Sequence, residues 1–222
     1  MPHDLISLEV VDADGAIREA ADGLPGDTRG DFFKKAAVGG GSLLAGGVLF
    51  GGLPAIASAA TRKSAANDVK ILNYALTLEY LEAAFYNEAV GNKALSGDAL
   101  AAAVIVQEHE NAHVKALKKV LGHKAVKKPK FDFKDTTTNQ SKFLQTATAL
   151  ENTGVAAYSG QAGNIHSGKV LAAAVSILTV EARHASRFNS LTGERFAPRS
   201  FDKPESMSQV LKTVTSTHFI TK

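Results

Sequence analysis

Two Glu-x-x-His sequences are the parts of this chain best suited to chemistry. Each follows an earlier Leu-Glu pair by about 30 residues. The six residues concerned are Glu79, Glu110, His113, Glu151, Glu181 and His184. Residues three apart on a helix share a face, with Cβ atoms about 5–6 Å apart, so each Glu-x-x-His can bind one ion through both side chains. Carboxylate and imidazole groups in this pattern predict a centre for two metal ions.

The six residues occupy equivalent positions of an internal repeat. The two copies are offset by 72 residues as far as their Gly-Asn pairs, at 91–92 and 163–164, and by 71 residues after them. A tyrosine also recurs, Tyr86 in the first copy and Tyr158 in the second, seven residues after the first Glu. A repeat that keeps four Glu and two His at matching positions predicts a site on its pseudo-twofold axis.

The six residues also lie on apolar helical stripes, which predicts that they are buried. Glu79, for example, shares its stripe with Leu72, Leu76 and Ala83. Carboxylates on such stripes meet in a dry interior, where charges are costly unless they are protonated, paired or metal-bound. Two alternatives stay open: ordinary surface Glu and His residues, or a core held by Glu–His hydrogen bonds without metal.

Hydrophobic periodicity predicts four helices arranged as two hairpins. Short links join the first helix to the second and the third to the fourth, whereas the long segment 122–139 crosses the bundle. The predicted helices span residues 66–90, 98–121, 140–162 and 168–191. The predicted fold class is therefore all-α, a four-helix bundle with one long crossover, built from a duplicated helical hairpin.

The bundle region resembles a known family. Residues 67–193 are similar to ferritin-like domains of the exported, non-cage kind, which are related to bacterial ferritin-like and plant desiccation-related proteins. The segments 75–86 and 110–113 carry the resemblance most closely. The resemblance implies a ferritin-like four-helix bundle and often a pair of metal ions, for which carboxylate and imidazole ligands suit either Fe or Mn.

Each candidate residue has an expected role in such a centre. Glu110 and Glu181 are expected to bridge the two ions, the Glu of the first and third helices to act as terminal or bridging ligands, and one His to complete each shell. Tyr86 and Tyr158 are the candidate catalytic residues, through hydrogen bonds to the ligands or donation of an electron. Core packing is the alternative role for both tyrosines. Open coordination positions would take O₂ or peroxide.

The remaining His and Glu residues near the motifs are given other roles. We expect His109 to point away from the ligand face of its helix. Glu82 borders the Glu79 stripe and is either an extra ligand or a hydrogen-bonding residue at the rim. Three further histidines lack partners at ligand spacing and are expected at the surface: His123, His166 and His218.

The segment before the bundle resembles an export signal. Residues 1–27 are acidic and are expected to form a disordered leader. Residues 28–60 contain Arg29 and Lys34, then an apolar run rich in Gly and Ala that ends in a small-residue cleavage motif. This pattern resembles a twin-arginine (Tat) signal, with Gly30 in place of the second Arg. It predicts export to the periplasm, the cell wall or the side facing the outer membrane, with membrane attachment through an uncleaved segment 36–60 as the alternative.

Composition and charge limit the partners. The chain has no Cys, which excludes a Cys-based metal site, and its net charge is +3. Lysines gather in and beside the crossover at positions 118, 119, 124, 127, 128, 130 and 134. No aromatic residues alternate with them in a way that favours base stacking, so we expect a solvated loop and no nucleic-acid partner.

Residues 194–222 are predicted to form a strap with a short helix after a capping box at Ser206–Gln209.

Two functions remain compatible with this sequence. The first is a di-metal carboxylate oxidoreductase in the cell envelope, formed by residues 61–193, that handles Fe(II) oxidation, O₂ or peroxide. The second is a non-catalytic envelope protein for stress protection or partner binding, in which any metal only holds the fold together. Storage in a closed cage is less favoured, because the signal and the strap would obstruct a shell. A homodimer is compatible with either function.

Overall fold

The computed structural model describes residues 63–221. The predicted leader and export segment, residues 1–27 and 28–60, lie outside the described residues. The described elements are the helices α1 (Ala65–Gly91), α2 (Gly97–Leu121), α3 (Gln140–Ala162), α4 (Gly168–Leu191) and α5 (Met207–Ser216), a 3₁₀ turn (Gly122–Lys124), and the strands β1 (Lys130–Phe131) and β2 (Ile220–Thr221). Within residues 63–221, every helix is too short or too polar to cross a membrane.

The helices form an all-α bundle, which confirms the predicted fold class. Helix α1 packs along α2 and α3 packs along α4, as the short links require, and contacts of α1 with α3 and of α2 with α4 join the two hairpins. The predicted bounds of these four helices agree with the observed ones to within one residue. The sequence predicts these bounds well because helix caps are local signals.

Polar side chains begin three of the four bundle helices. Ser64 accepts a hydrogen bond from the backbone N–H of Asn67 at the start of α1, and Asn139 and Ser167 do the same for α3 and α4. Each of these bonds satisfies one backbone donor that has no partner within the helix. Helix α2 stops at Gly122, whose φ of 55° lies in the left-handed region that glycine adopts readily.

Two buried or half-buried polar residues of α1 tie the loops to the bundle. The carboxylate of Asp68 accepts hydrogen bonds from the backbone N–H groups of His166 and Ser167, at 2.7 and 2.9 Å. The amide of Asn73 donates to the carbonyl of Lys124 and accepts from the N–H of Val126. These bonds fix both the α3–α4 link and the start of the crossover relative to α1.

Aromatic side chains fill the interior on one side of the central Glu residues. Phe85 of α1 stacks on Phe143 of α3 with ring centroids 5.3 Å apart, and meets Phe133 of the crossover edge-on at 5.4 Å. Phe188 of α4 meets Phe143 edge-on at 5.9 Å. This packing involves three helices and the crossover, and it makes the surroundings of the central carboxylates both rigid and apolar.

The C-terminal segment lies against α3 and the crossover. The predicted capping box is confirmed, because the side chains of Ser206 and Gln209 both bond to the backbone at the start of α5. The N–H of Glu205 donates to the carbonyl of Ala156 at 3.1 Å, and a Cβ at Gly160 would overlap the Glu205 backbone. Glycine at position 160 therefore permits the close approach of this segment to α3.

Candidate metal centre

The six residues singled out by the repeat meet in the middle of the four-helix bundle. One Glu comes from each of α1 and α3, and one Glu and one His come from each of α2 and α4. All four Glu side chains, at positions 79, 110, 151 and 181, are 0% exposed, and His113 and His184 are 9% and 4% exposed. Helical spacing makes this convergence possible, because an i, i+3 pair presents both side chains on the face that the bundle buries.

The six residues form two groups of four that share two members. Glu110 and Glu181 belong to both groups. The first group adds Glu79 and His113, and the second adds Glu151 and His184. Within each group the potential ligand atoms all lie within 4.8 Å of one another. The arrangement has the pseudo-twofold symmetry that the repeat predicts, with the two shared carboxylates between the two halves.

In the first group, the carboxylates surround one imidazole nitrogen. Nδ1 of His113 lies 3.2 Å from Oε2 of Glu79, 3.3 Å from Oε2 of Glu110 and 3.2 Å from Oε1 of Glu181. Burial disfavours the charged imidazole, but the adjacent carboxylates of Glu110, Glu181 and Glu79 outweigh it and raise the pKa of His113 to about 12. Without metal, a proton on His113 is the cation that these carboxylates hold.

The second group repeats this geometry with one longer contact. Nδ1 of His184 lies 3.1 Å from Oε2 of Glu151 and 3.2 Å from Oε1 of Glu110. It lies 4.0 Å from Oε2 of Glu181. Glu110 and Glu181 therefore each direct one oxygen toward each histidine, which is the arrangement that a bridging carboxylate needs.

The two tyrosines connect the halves of the centre crosswise. The phenol of Tyr86, on α1, donates a hydrogen bond of 2.5 Å to Oε1 of Glu151 on α3. The phenol of Tyr158, on α3, donates to Oε1 of Glu79 on α1. Burial and the charge of the accepting Glu raise the pKa of both phenols well above the usual value, so both keep their protons at neutral pH. Each tyrosine thereby orients the carboxylate of the opposite hairpin.

The family model of the ferritin-like domain matches residues 67–194, more than half of the chain. The chain belongs to the ferritin-like domain family. The matched range covers nearly all of the four bundle helices and contains every residue of the two groups. A comparison with curated proteins found no match.

Buried oxygens without hydrogen bonds indicate that this ferritin-like centre fits metal ions. Oε1 of Glu110 and both carboxylate oxygens of Glu181 have no hydrogen-bond partner among the described residues, although imidazole nitrogens lie nearby. Burial and neighbouring carboxylates raise the pKa of Glu110 and of Glu181 well above the usual value. Metal ions bound between these oxygens would satisfy them and would favour their ionised form. The donor set of carboxylate and imidazole suits iron or manganese.

His109 corrects one sequence-based expectation. It was expected to point away from the ligand face, but its Nδ1 lies 2.8 Å from Nε2 of His184, and the two rings stack with centroids 5.1 Å apart. The expectation was wrong because His109 and His113 are four residues apart and therefore neighbours on α2. The packing of α2 against α4 then brings His109 onto the outer nitrogen of His184. The i, i+4 spacing was the signal that could have found this residue.

The remaining candidate residues are either buried beside the centre or exposed at the surface. Glu82 is 3% exposed and lies inside the ferritin-like bundle, one helical turn beyond Glu79, outside the two four-residue groups. His123, His166 and His218 are exposed, as predicted. Sequence reasoning missed Gly154. Aligning the two copies of the repeat places Gly154 at the position equivalent to Glu82, and this difference was the signal that could have found it.

Proposed function

We propose that the protein is a di-metal carboxylate protein of the ferritin-like class that binds two iron or manganese ions and acts on Fe(II), O₂ or peroxide. The observation that carries the proposal is the pair of shared buried carboxylates, Glu110 and Glu181, which lie between two imidazoles and have three of their four oxygens without a hydrogen bond among the described residues. A centre evolved only for Glu–His hydrogen bonding would leave fewer of these oxygens without partners.

The residues have distinct roles in this proposal. Glu110 and Glu181 would hold both ions, and Glu79 and Glu151 would each hold one ion as terminal ligands. His113 and His184 would each hold one ion through Nδ1, the nitrogen that faces the carboxylates. When bound, a pair of such ions supplies Lewis acidity and redox chemistry. The protein fixes the ligands in a buried space that excludes bulk water.

The tyrosines hold protons next to the centre. Tyr86 and Tyr158 bond the terminal carboxylates of the opposite hairpin, so they fix the orientation of these ligands. Each phenol is also a buried proton donor that lies one carboxylate away from the ions. We assign to them the role of orienting Glu79 and Glu151 and of supplying a proton or an electron during turnover.

An apolar cavity supports a role in handling O₂. It has a volume of about 150 Å³ and is lined by residues of all four bundle helices, including Leu117, Tyr158 and Ile177. Leu117 lies one turn beyond His113, and Ile177 lies one turn before Glu181, so the cavity adjoins the centre on the side of Tyr158. A mostly apolar cavity of this kind can admit small apolar molecules such as O₂.

The proposed location is the cell envelope. The pattern of residues 28–60, with basic residues, a mild apolar run and a small-residue cleavage motif, supports export through a twin-arginine-type signal. A centre that consumes peroxide or oxidises Fe(II) would serve stress protection there.

Metal content and oxidation kinetics test the proposal together. The full chain, loaded under anaerobic conditions, is expected to hold close to two metal ions, and Glu110→Ala with Glu181→Ala is expected to abolish binding. Fe(II)-loaded protein mixed with O₂ or with peroxide in a stopped-flow instrument should oxidise faster than Fe(II) in buffer. The exposed substitution Glu194→Gln serves as the matched control.

Two results would contradict the proposal in different ways. Full metal content in the Glu110, Glu181 double variant would refute the ligand assignment. Two bound ions without acceleration by either oxidant would instead favour a metal that only stabilises the fold.

A further inference from the structure

The pseudo-twofold symmetry of the centre is broken at two positions. One is buried in the bundle, and the other contacts a histidine of the centre. Applying the repeat offset of 72 residues to Glu82 gives Gly154, and applying the offset of 71 to His109 gives Val180. One half of the protein therefore contributes a carboxylate and an imidazole that the other half lacks. The positions of these two groups decide which half of the centre they serve.

Gly154 provides the space for the additional carboxylate. It lies in the interior of α3, where glycine disfavours the helix relative to alanine. A Cβ at this position would lie 3.0 Å from Oε2 of Glu181 and 3.3 Å from Oε1 of Glu82. Both oxygens thus face the same point, and a side chain at position 154 would force one of them to move.

Glu82 lies on the side of the centre that contains Glu151 and His184. The two oxygens of Glu181 face different histidines. Oε1 lies 3.2 Å from Nδ1 of His113, whereas Oε2 faces His184. Oε2 is also the oxygen that adjoins Gly154 beside Glu82. A cation bound next to Oε2 of Glu181 would therefore lie on the side of the centre that Glu82 adjoins.

His109 supports the same half of the centre. Its Nδ1 lies 2.8 Å from Nε2 of His184, so the outer nitrogen of that histidine has an imidazole partner. The residue equivalent to His109 in the second copy, Val180, has no polar side chain and cannot do this for His113. A polar partner on the outer nitrogen fixes the ring and its tautomer, and so strengthens the ligand.

We infer that the two metal positions are inequivalent, and that Glu82 supplies a fifth carboxylate to the ion held by Glu151 and His184. This inference depends on the proposed metal centre. The ion at Glu151 and His184 is bound more tightly and first, whereas the ion at Glu79 and His113 is bound more weakly and second. The unpartnered, fully buried oxygens of Glu181 lie between the two positions and complete both.

Titration of the metal-free full chain with Co(II) tests the inference. The visible absorption of Co(II) reports its coordination number, so it follows both occupancy and ligand set. Wild-type protein is expected to bind two ions in resolved steps. Glu82→Gln, which keeps the shape of the side chain, is expected to weaken the first step 10- to 100-fold, as loss of a supporting group at a metal site does. It should also change the spectrum of that ion and leave the second step within threefold.

A second variant and a control make the test independent of one substitution. Gly154→Ala should also weaken the first step and change its spectrum, because its methyl group displaces the Glu82 or the Glu181 oxygen that faces this position. Glu194→Gln, an exposed carboxylate substitution, should leave both steps unchanged. Circular dichroism of each metal-free variant establishes that the helices are retained.

Double variants show which position Glu82 serves. The effects of Glu82→Gln and His184→Ala are expected to be strongly non-additive, because both residues serve the same ion. Those of Glu82→Gln and His113→Ala should be closer to additive, because these residues serve different ions. Wild-type protein that binds two ions with equal affinity would overturn the inference, as would coupling to His113 instead of His184. Wild-type protein that binds no metal would refute the proposed function itself.

Discussion

The metal-free protein should lose stability as the pH rises, and the size of the effect follows from His113. Its pKa is about 12 in the folded chain, against a usual value of 6.5, because three carboxylates surround it. Between pH 6.5 and 8.5 the folded chain keeps this proton while the unfolded chain releases it. One such proton lowers the free energy of unfolding by about 1.36 kcal/mol per pH unit once the unfolded chain has lost it. Because the unfolded chain is still half protonated at pH 6.5, the loss over this range is about 2 kcal/mol.

The carboxylates of the centre do not cancel this effect. Glu110 and Glu181 have raised pKa values in the folded chain, so they too stabilise it at low pH and lose that contribution as the pH rises. For Glu79, burial opposes ionisation, but hydrogen bonds from His113 and Glu110 outweigh it and lower its pKa. Its stabilising contribution is therefore already complete well below pH 6.5 and stays constant over the tested range.

Thermal unfolding of the chelator-treated full chain measures this prediction. A loss of about 2 kcal/mol corresponds to a Tm lower by about 4–8 °C at pH 8.5 than at pH 6.5 for a domain of this size. His113→Gln should make the pH dependence shallower, whereas the exposed control His123→Gln should leave it unchanged. Addition of Mn(II) should reverse the trend, because metal competes with protons for the same ligands. A Tm that rises or stays constant from pH 6.5 to 8.5 without metal would refute the reasoning.

Three further predictions concern other parts of the chain. Tyr158→Phe should slow Fe(II) oxidation in stopped-flow measurements while metal content by elemental analysis stays at the wild-type level; a parallel loss of metal would show that the phenol acts only by holding its carboxylate. A reporter fused after residue 60 should be found outside the cytoplasm by cell fractionation, and Arg29→Gln with Lys34→Gln should retain it inside; a cytoplasmic reporter with the native leader would refute the export signal. Gly160→Ala should destabilise the chain by about 1–3 kcal/mol in urea unfolding, because the added methyl group overlaps the Glu205 backbone; an unchanged midpoint would show that this contact is dispensable.

Much of the bundle could be predicted from the sequence because the signals concerned are local. The caps Ser64 and Asn139 act within three residues of their own positions, and each Glu-x-x-His places two ligands on one face through helix geometry alone. The repeat also predicts contacts between residues far apart in the chain, since two equivalent hairpins that bury equivalent faces must meet around a common axis. The convergence of Glu110 with Glu181 at the centre is a consequence of these facts.

The partners across the bundle were decided by tertiary packing. Periodicity places Tyr86 and His109 near the buried faces of their helices but does not say which side chain each one meets. Helix rotation and the offset between α1 and α3 direct Tyr86 to Glu151 instead of a neighbour on its own hairpin. The packing of α2 on α4 directs His109 to His184.

The asymmetry of the centre shows the same division between sequence and structure. Aligning the two copies shows that the position equivalent to Glu82 holds a glycine and not a carboxylate. The sequence does not say which side chains fill the space beside a glycine in a helix. Only the packed structure shows that two carboxylate oxygens approach Gly154 from α1 and α4. Local geometry therefore determined which faces carry the chemistry, whereas close packing between helices determined which atoms share the interior, because contact distances depend on every neighbouring side chain at once.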